Sequence, residues 1–103
     1  MEKVIKDGNV AVLYSPGFGA GWFTWNNHPE LVFHPKIVKM VEDGNQSNID
    51  EDWMLQELGL SDIYCGGADD LRIAWLPQGT AFTIEEYDGA ESIRTNDDLT
   101  LVA

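Results

Sequence analysis

The chain has 103 residues, is 44% hydrophobic, and carries a formal net charge of −12 from eighteen acids against six Lys and Arg. That length allows one hydrophobic core and therefore one domain, 1–103. Four Trp, four Phe and three Tyr give it enough apolar surface to fold, while the net charge disfavours nucleic-acid phosphates and anionic membrane surfaces as direct partners.

Val4-Ile5 and Val10-Ala11-Val12-Leu13-Tyr14 flank Asp7-Gly8-Asn9, a turn composition that joins antiparallel strands. The second run is almost wholly apolar, which predicts a strand buried on both faces at the centre of its sheet. A glycine-punctuated aromatic stretch follows: Ser15-Pro16-Gly17-Phe18-Gly19-Ala20-Gly21-Trp22-Phe23-Thr24-Trp25-Asn26-Asn27-His28. Alternate glycines allow close approach by another group, and the large rings are either core plugs or ligand walls. The spacing departs from dinucleotide-binding loops, because the third glycine falls one place early and no long crossover helix or phosphate-binding lysine follows.

Residues 28–33 can make one helical turn behind Pro29, and Pro35 opens a short helix over 35–43 with Ile37, Val38 and Val41 at helical spacing and Gly44 as its stop. Asp50-Glu51-Asp52 favours a helix N-terminus, so a second helix is expected over 50–58, ended by Gly59 and docked on the sheet by Trp53. Beyond Asp62 the pattern becomes strand-like. Leu71–Leu76 and Ala81–Tyr87 are expected to pair through Pro77-Gln78-Gly79, with Trp75, Phe82 and Ile84 in the core; Asp88-Gly89 turns the chain again, and Leu99–Val102 closes a meander. The expected fold class is α+β: a mainly antiparallel or mixed sheet with two short helices inserted between an N-terminal hairpin and a C-terminal meander.

Chemistry-bearing residues are sparse. His28 and His34 are six apart beside prolines, unlike a zinc-binding pair on one helix face. Ser15 lacks a nucleophile elbow, and Cys65, the single cysteine, has no local activating partner and excludes an internal disulfide. No nucleophile–base pair stands out, so the expectation is a protein without catalytic residues, metal or cofactor. The N-terminus lacks a signal-like apolar run and no stretch approaches membrane-spanning length, which places the chain in the cytoplasm as an expectation.

Two binding readings remain. In the first, Gly17, Gly19 and Gly21 bring backbone N–H groups to a polar or anionic small molecule, Trp22 or Trp25 stacks on its ring, Asn26 contributes a hydrogen bond, and Lys36, with Lys39 near it, neutralises charge. The loop lies where this is least opposed: residues 1–40 hold four lysines against Glu2, Asp7 and Glu30, whereas residues 41–103 hold Arg72 and Arg94 against fifteen acids. In the second, adjacent acids such as Asp69-Asp70 and Asp97-Asp98 form a phosphate-mimicking surface that binds a basic protein. Homo-oligomerisation is a further way to cover eleven aromatics.

The segments Val10–Trp22 and Phe82-Thr83-Ile84-Glu85-Glu86-Tyr87-Asp88-Gly89-Ala90-Glu91-Ser92 resemble those of small acidic proteins encoded by tailed bacteriophages and prophages. That resemblance implies a bacterial host cytoplasm as the setting and binding as the mode of action, either sequestering a nucleotide-like host signal or blocking a host enzyme. It implies no catalytic residue.

Overall fold

The computed structural model describes residues 2–95 and 101–103. Strands β1 (Ile5–Lys6), β2 (Asn9–Tyr14) and β3 (Arg72–Pro77) form one antiparallel sheet in the order β1-β2-β3. Strands β4 (Ala81–Tyr87), β5 (Ala90–Thr95) and β6 (Leu101–Val102) form a second, in the order β5-β4-β6, again antiparallel. Between β2 and β3 run four short helices: α1 (Phe23–Asn26), α2 (Glu30–Phe33), α3 (Pro35–Glu42) and α4 (Glu51–Trp53), the last continuing as a π turn over Met54–Leu58. The class is α+β, with the strands divided between two sheets instead of one.

Strand β2 is the hinge of the packing. Its alternate residues point to opposite faces, so Ala11 and Leu13 join Trp22, Leu31, Ile37, Val38, Met54 and Leu71 in one cluster. Val10 and Val12 join Val32, Phe33, Phe82 and Ala103 in the other. The apolar run thus becomes a central strand covered on both sides, as its composition predicts. Short helix α2 straddles the same divide, giving Leu31 to the first cluster and Val32 and Phe33 to the second.

Local chemistry sets the ends of these elements. Asp7 and Gly8 both adopt positive φ, at 53° and 79°, and Asp88 and Gly89 do likewise at 48° and 85°; each pair makes the two-residue hairpin turn whose twist matches its strands. His34 caps α3, its Nδ1 accepting from the Lys36 N–H at 3.1 Å, with Pro35 in the first turn. Burial holds the His34 imidazole below its ordinary pKa, with Lys36 acting in the same direction and Glu30 against it; the neutral ring keeps Nδ1 available as an acceptor. Asp50 caps α4 by accepting from the Trp53 N–H at 2.8 Å, and Gly59 ends the π turn at φ 68°.

Three expectations are corrected. Strand β4 does not pair with β3 across Pro77-Gln78-Gly79, because the donors there are used elsewhere: Gln78 N–H bonds Gly8 O at 2.9 Å and Gly79 N–H bonds Ala103 O at 2.6 Å. The chain leaves one sheet at this turn and enters the other. Trp75 is not a core residue: it is 37% exposed, with the Lys6 ammonium 5.2 Å from its ring centroid. The stretch 23–26, read as loop, is helical. Phe82 is buried as expected and meets Phe33 edge-on at 6.2 Å, while Ile84 packs partly buried on the same cluster. Trp53 is half-buried and packs against the cluster that includes Ala11 and Leu13. The expected start of the last strand at Leu99 lies outside the described residues.

Phe82→Ala is expected to cost about 3–5 kcal/mol, the range for a fully buried aromatic, and Trp75→Ala less, about 1–3 kcal/mol, because over a third of the residue stays in water. Urea denaturation of the two variants checks this ordering; equal losses would contradict it.

Candidate functional site

The glycine loop is organised around a carboxylate far away in sequence. Glu91, on the inward face of β5 and 2% exposed, accepts at Oε1 from the Ser15 N–H at 2.9 Å. Its Oε2 accepts from the Trp22 N–H at 3.1 Å, the Thr24 N–H at 2.8 Å and the Thr24 hydroxyl at 2.7 Å. The Glu91 N–H in turn donates to Ser15 O at 2.8 Å, and the Ser15 hydroxyl donates to Gly67 O at 2.8 Å. Among the described residues Glu91 has no cationic partner. Burial of a lone carboxylate is costly; four convergent donors, each strengthened by the charge, offset that cost.

Neighbouring backbone approaches just as closely. Gly89 sits against the backbone of Ala20, where any Cβ would collide, and the Gly19 N–H donates to Asp88 O at 2.6 Å. The β4–β5 turn therefore closes over the glycine loop. Gly67 does the same from the other side, facing the carbonyl of Gly21.

The residues expected to hold a ligand are placed as follows. Gly17 lies beside the Asp70 carboxylate, and Gly21 lies against the Trp25 ring. Trp22 is fully buried, its Nε1–H donating to Leu31 O at 2.9 Å; it is a core residue and offers no face for stacking. Trp25 is exposed and tilts 37° against Tyr64 at 5.4 Å. Asn26 is a strut: its Nδ2 donates to Trp22 O and Tyr64 O, both at 2.9 Å, and its Oδ1 accepts from Tyr64 N–H at 2.8 Å. Lys36 stands apart on α3, donating to Glu57 O at 3.0 Å. It lines an open cleft of about 200 Å³ with Lys39, Met40, Asp43, Trp53 and Glu57. The loop residues cluster together, and Lys36 belongs to a different place.

Sequence reasoning missed Glu91 and Thr24. The available signal was alternation: Glu91 shares a strand face with Ile93, which is itself packed on the second cluster.

What the loop exposes is different from what it buries. Phe18 is 77% exposed and Tyr87 74%, and each immediately precedes one partner of the Gly19–Asp88 hydrogen bond. Carboxylates surround that crossing: Asp70 beside Gly17, Asp88 in the turn, and Glu86, whose Oε2 accepts from the Gly89 N–H at 2.8 Å. Burial, with Glu51 and Asp50 adding to it, pushes the Cys65 thiol up to about 11, which keeps it protonated and unreactive near neutral pH. Among the described residues no group of three His, Cys, Asp or Glu side chains is placed to hold a metal ion, and no helix is long and apolar enough to cross a membrane. No family model, curated protein or solved structure matches the chain.

Glu91→Ala leaves three backbone donors without their acceptor, each worth about 1–3 kcal/mol when buried and unpaired, and is expected to lower stability by about 3 kcal/mol or more. Glu91→Gln is expected to fall between, because its single carbonyl oxygen can replace only one of the two carboxylate oxygens. Guanidinium titration checks the series; a wild-type midpoint for Glu91→Ala would contradict the assigned role.

Proposed function

We propose that this protein is a non-catalytic binding protein whose exposed aromatic crossing, rimmed by carboxylates, docks on a basic protein. The observation that carries the reading is the exposure of Phe18 and Tyr87, both largely in water, each next in sequence to one partner of the Gly19–Asp88 backbone hydrogen bond. Large exposed aromatics cost solubility unless a partner covers them, and rigid aromatic anchors are characteristic of binding hot spots. The surrounding Asp70, Asp88 and Glu86, and the net charge of −12, select a basic partner and speed its approach. Asp69 adjoins this rim, while Asp97 and Asp98 lie outside the described residues.

Support for the loop as the wall of a small-molecule pocket is weaker. The N–H groups of Trp22 and Thr24 already converge on Glu91, Gly19 N–H is taken by Asp88, and Trp22 is sealed in the core. A nucleotide-like host signal would have Trp25 as its one open indole in this region. The resemblance to small acidic phage proteins supplies a setting for the docking reading, a basic host enzyme in a bacterial cytoplasm.

The test compares wild type, Phe18→Ser/Tyr87→Ser and Asp70→Asn/Asp88→Asn as immobilised baits against a bacterial lysate. The reading expects one basic protein retained at low salt by wild type, released as salt rises, and reduced by about tenfold or more in both variants, since losing one anchor or ion pair in a buried interface costs about 1.4 kcal/mol or more. Retention unaffected by either pair, or no basic protein at all, would contradict it. Sedimentation of the purified chain shows whether a second copy covers the same aromatics instead.

A further inference from the structure

We propose that the cleft between α3 and α4 binds a small planar ring bearing one carboxylate or phosphate group. It uses different residues from the aromatic crossing and does not rest on the docking reading.

One wall is a single face of α3, with Lys36, Lys39, Met40 and Asp43 at helical spacing; the other is Trp53 and Glu57, four residues apart on α4 and its π turn. Met40 and Trp53 are half-buried and pack on the core, so they form a fixed apolar floor. The volume of about 200 Å³ is below the range of roughly 300–1,000 Å³ typical of drug-sized ligands. That volume suits one ring system lying on the Trp53 indole, with its charged substituent at the mouth.

Two lysines and two carboxylates line the cleft, and the lysines are the groups that hold the substituent. Lys36 and Lys39 are two of only six cationic side chains in the chain, and both line this cleft. Their present carboxylate partners are solvent-facing: Lys39 Nζ donates to Asp43 at 3.1 Å and Lys36 Nζ lies 4.0 Å from a Glu57 carboxylate oxygen, on side chains 46% to 76% exposed. Exposed pairs of this kind contribute little, so an incoming anion exchanges for Asp43 and Glu57 at small cost. The wall on the Glu57 side is a π turn, Met54–Leu58, a departure from regular helix found frequently at functional sites. Lys36 also donates to the Glu57 carbonyl of that turn, which positions its ammonium at the cleft edge.

Nuclear magnetic resonance titration of ¹⁵N-labelled protein tests this with four probes: benzoate and phenyl phosphate, which combine one ring with an anion, and phenol and inorganic phosphate, which separate them. The expected result is saturable shifts of the Trp53 indole N–H and the Lys36 and Lys39 amides with at least one combined probe, and binding at least tenfold weaker for phenol and for inorganic phosphate. Which combined probe binds tells carboxylate from phosphate. Lys36→Gln/Lys39→Gln, at exposed positions that leave the fold intact, is expected to weaken that binding about tenfold or more with the thermal midpoint unchanged. No saturable shift at Trp53 with any probe up to about 1 mM, phosphate alone binding as well as the combined probes, or undiminished binding by the double variant would each overturn the proposal.

Discussion

The structure depends on one buried charge. Glu91 reaches across from the second sheet and collects the N–H groups of Ser15, Trp22 and Thr24, so a loop that would otherwise carry unpaired donors inside the protein becomes part of its interior. The same bonds place Trp22 in the first cluster and bring β5 to the end of β2, where Glu91 N–H meets Ser15 O. The two three-stranded sheets are joined at that point and through the valines of β2. A hydrophobic substitute at position 91 would satisfy none of these donors. A carboxylate supplies two acceptor oxygens with several lone pairs in the space of one side chain.

That economy has a consequence for function. The convergence of N–H groups that makes a glycine-rich loop attractive as an anion site is present, but the anion is internal. The ligand-like geometry is therefore structural, and the surface left over is aromatic and acidic: exposed Phe18 and Tyr87 beside the residues of the Gly19–Asp88 bond. Conversely, two lysines line the α3–α4 cleft together with a half-buried tryptophan. The two proposed recognition surfaces, one for a basic macromolecule and one for a small anion, thus fall to different elements.

Much of the framework was legible in the sequence because it rests on local chemistry. Asp7-Gly8 and Asp88-Gly89 state their turns directly, the run Val10–Leu13 announces a strand with two covered faces, and Pro35, Asp50 and Gly59 mark helix ends. The misreadings share a cause. A tight turn at Pro77-Gln78-Gly79 suggests a hairpin, but pairing is decided by which acceptors are nearby, and those are Gly8 and Ala103. Trp75 occupies an alternating position in a strand whose faces are both partly covered, so alternation alone could not assign it. Alternation puts Glu91 on the face of Ile93, but its donors lie 67 to 76 residues earlier in the chain, so nothing local names the amides it meets.

The Glu91 carboxylate makes the glycine loop part of the core. Native-state hydrogen exchange of the Ser15, Trp22 and Thr24 amides tests it most directly. If the claim holds, these three exchange only in the cooperative opening that releases the amides of β2, because nothing smaller frees them. Exchange of the three at rates typical of an exposed loop, while β2 stays protected, would contradict it.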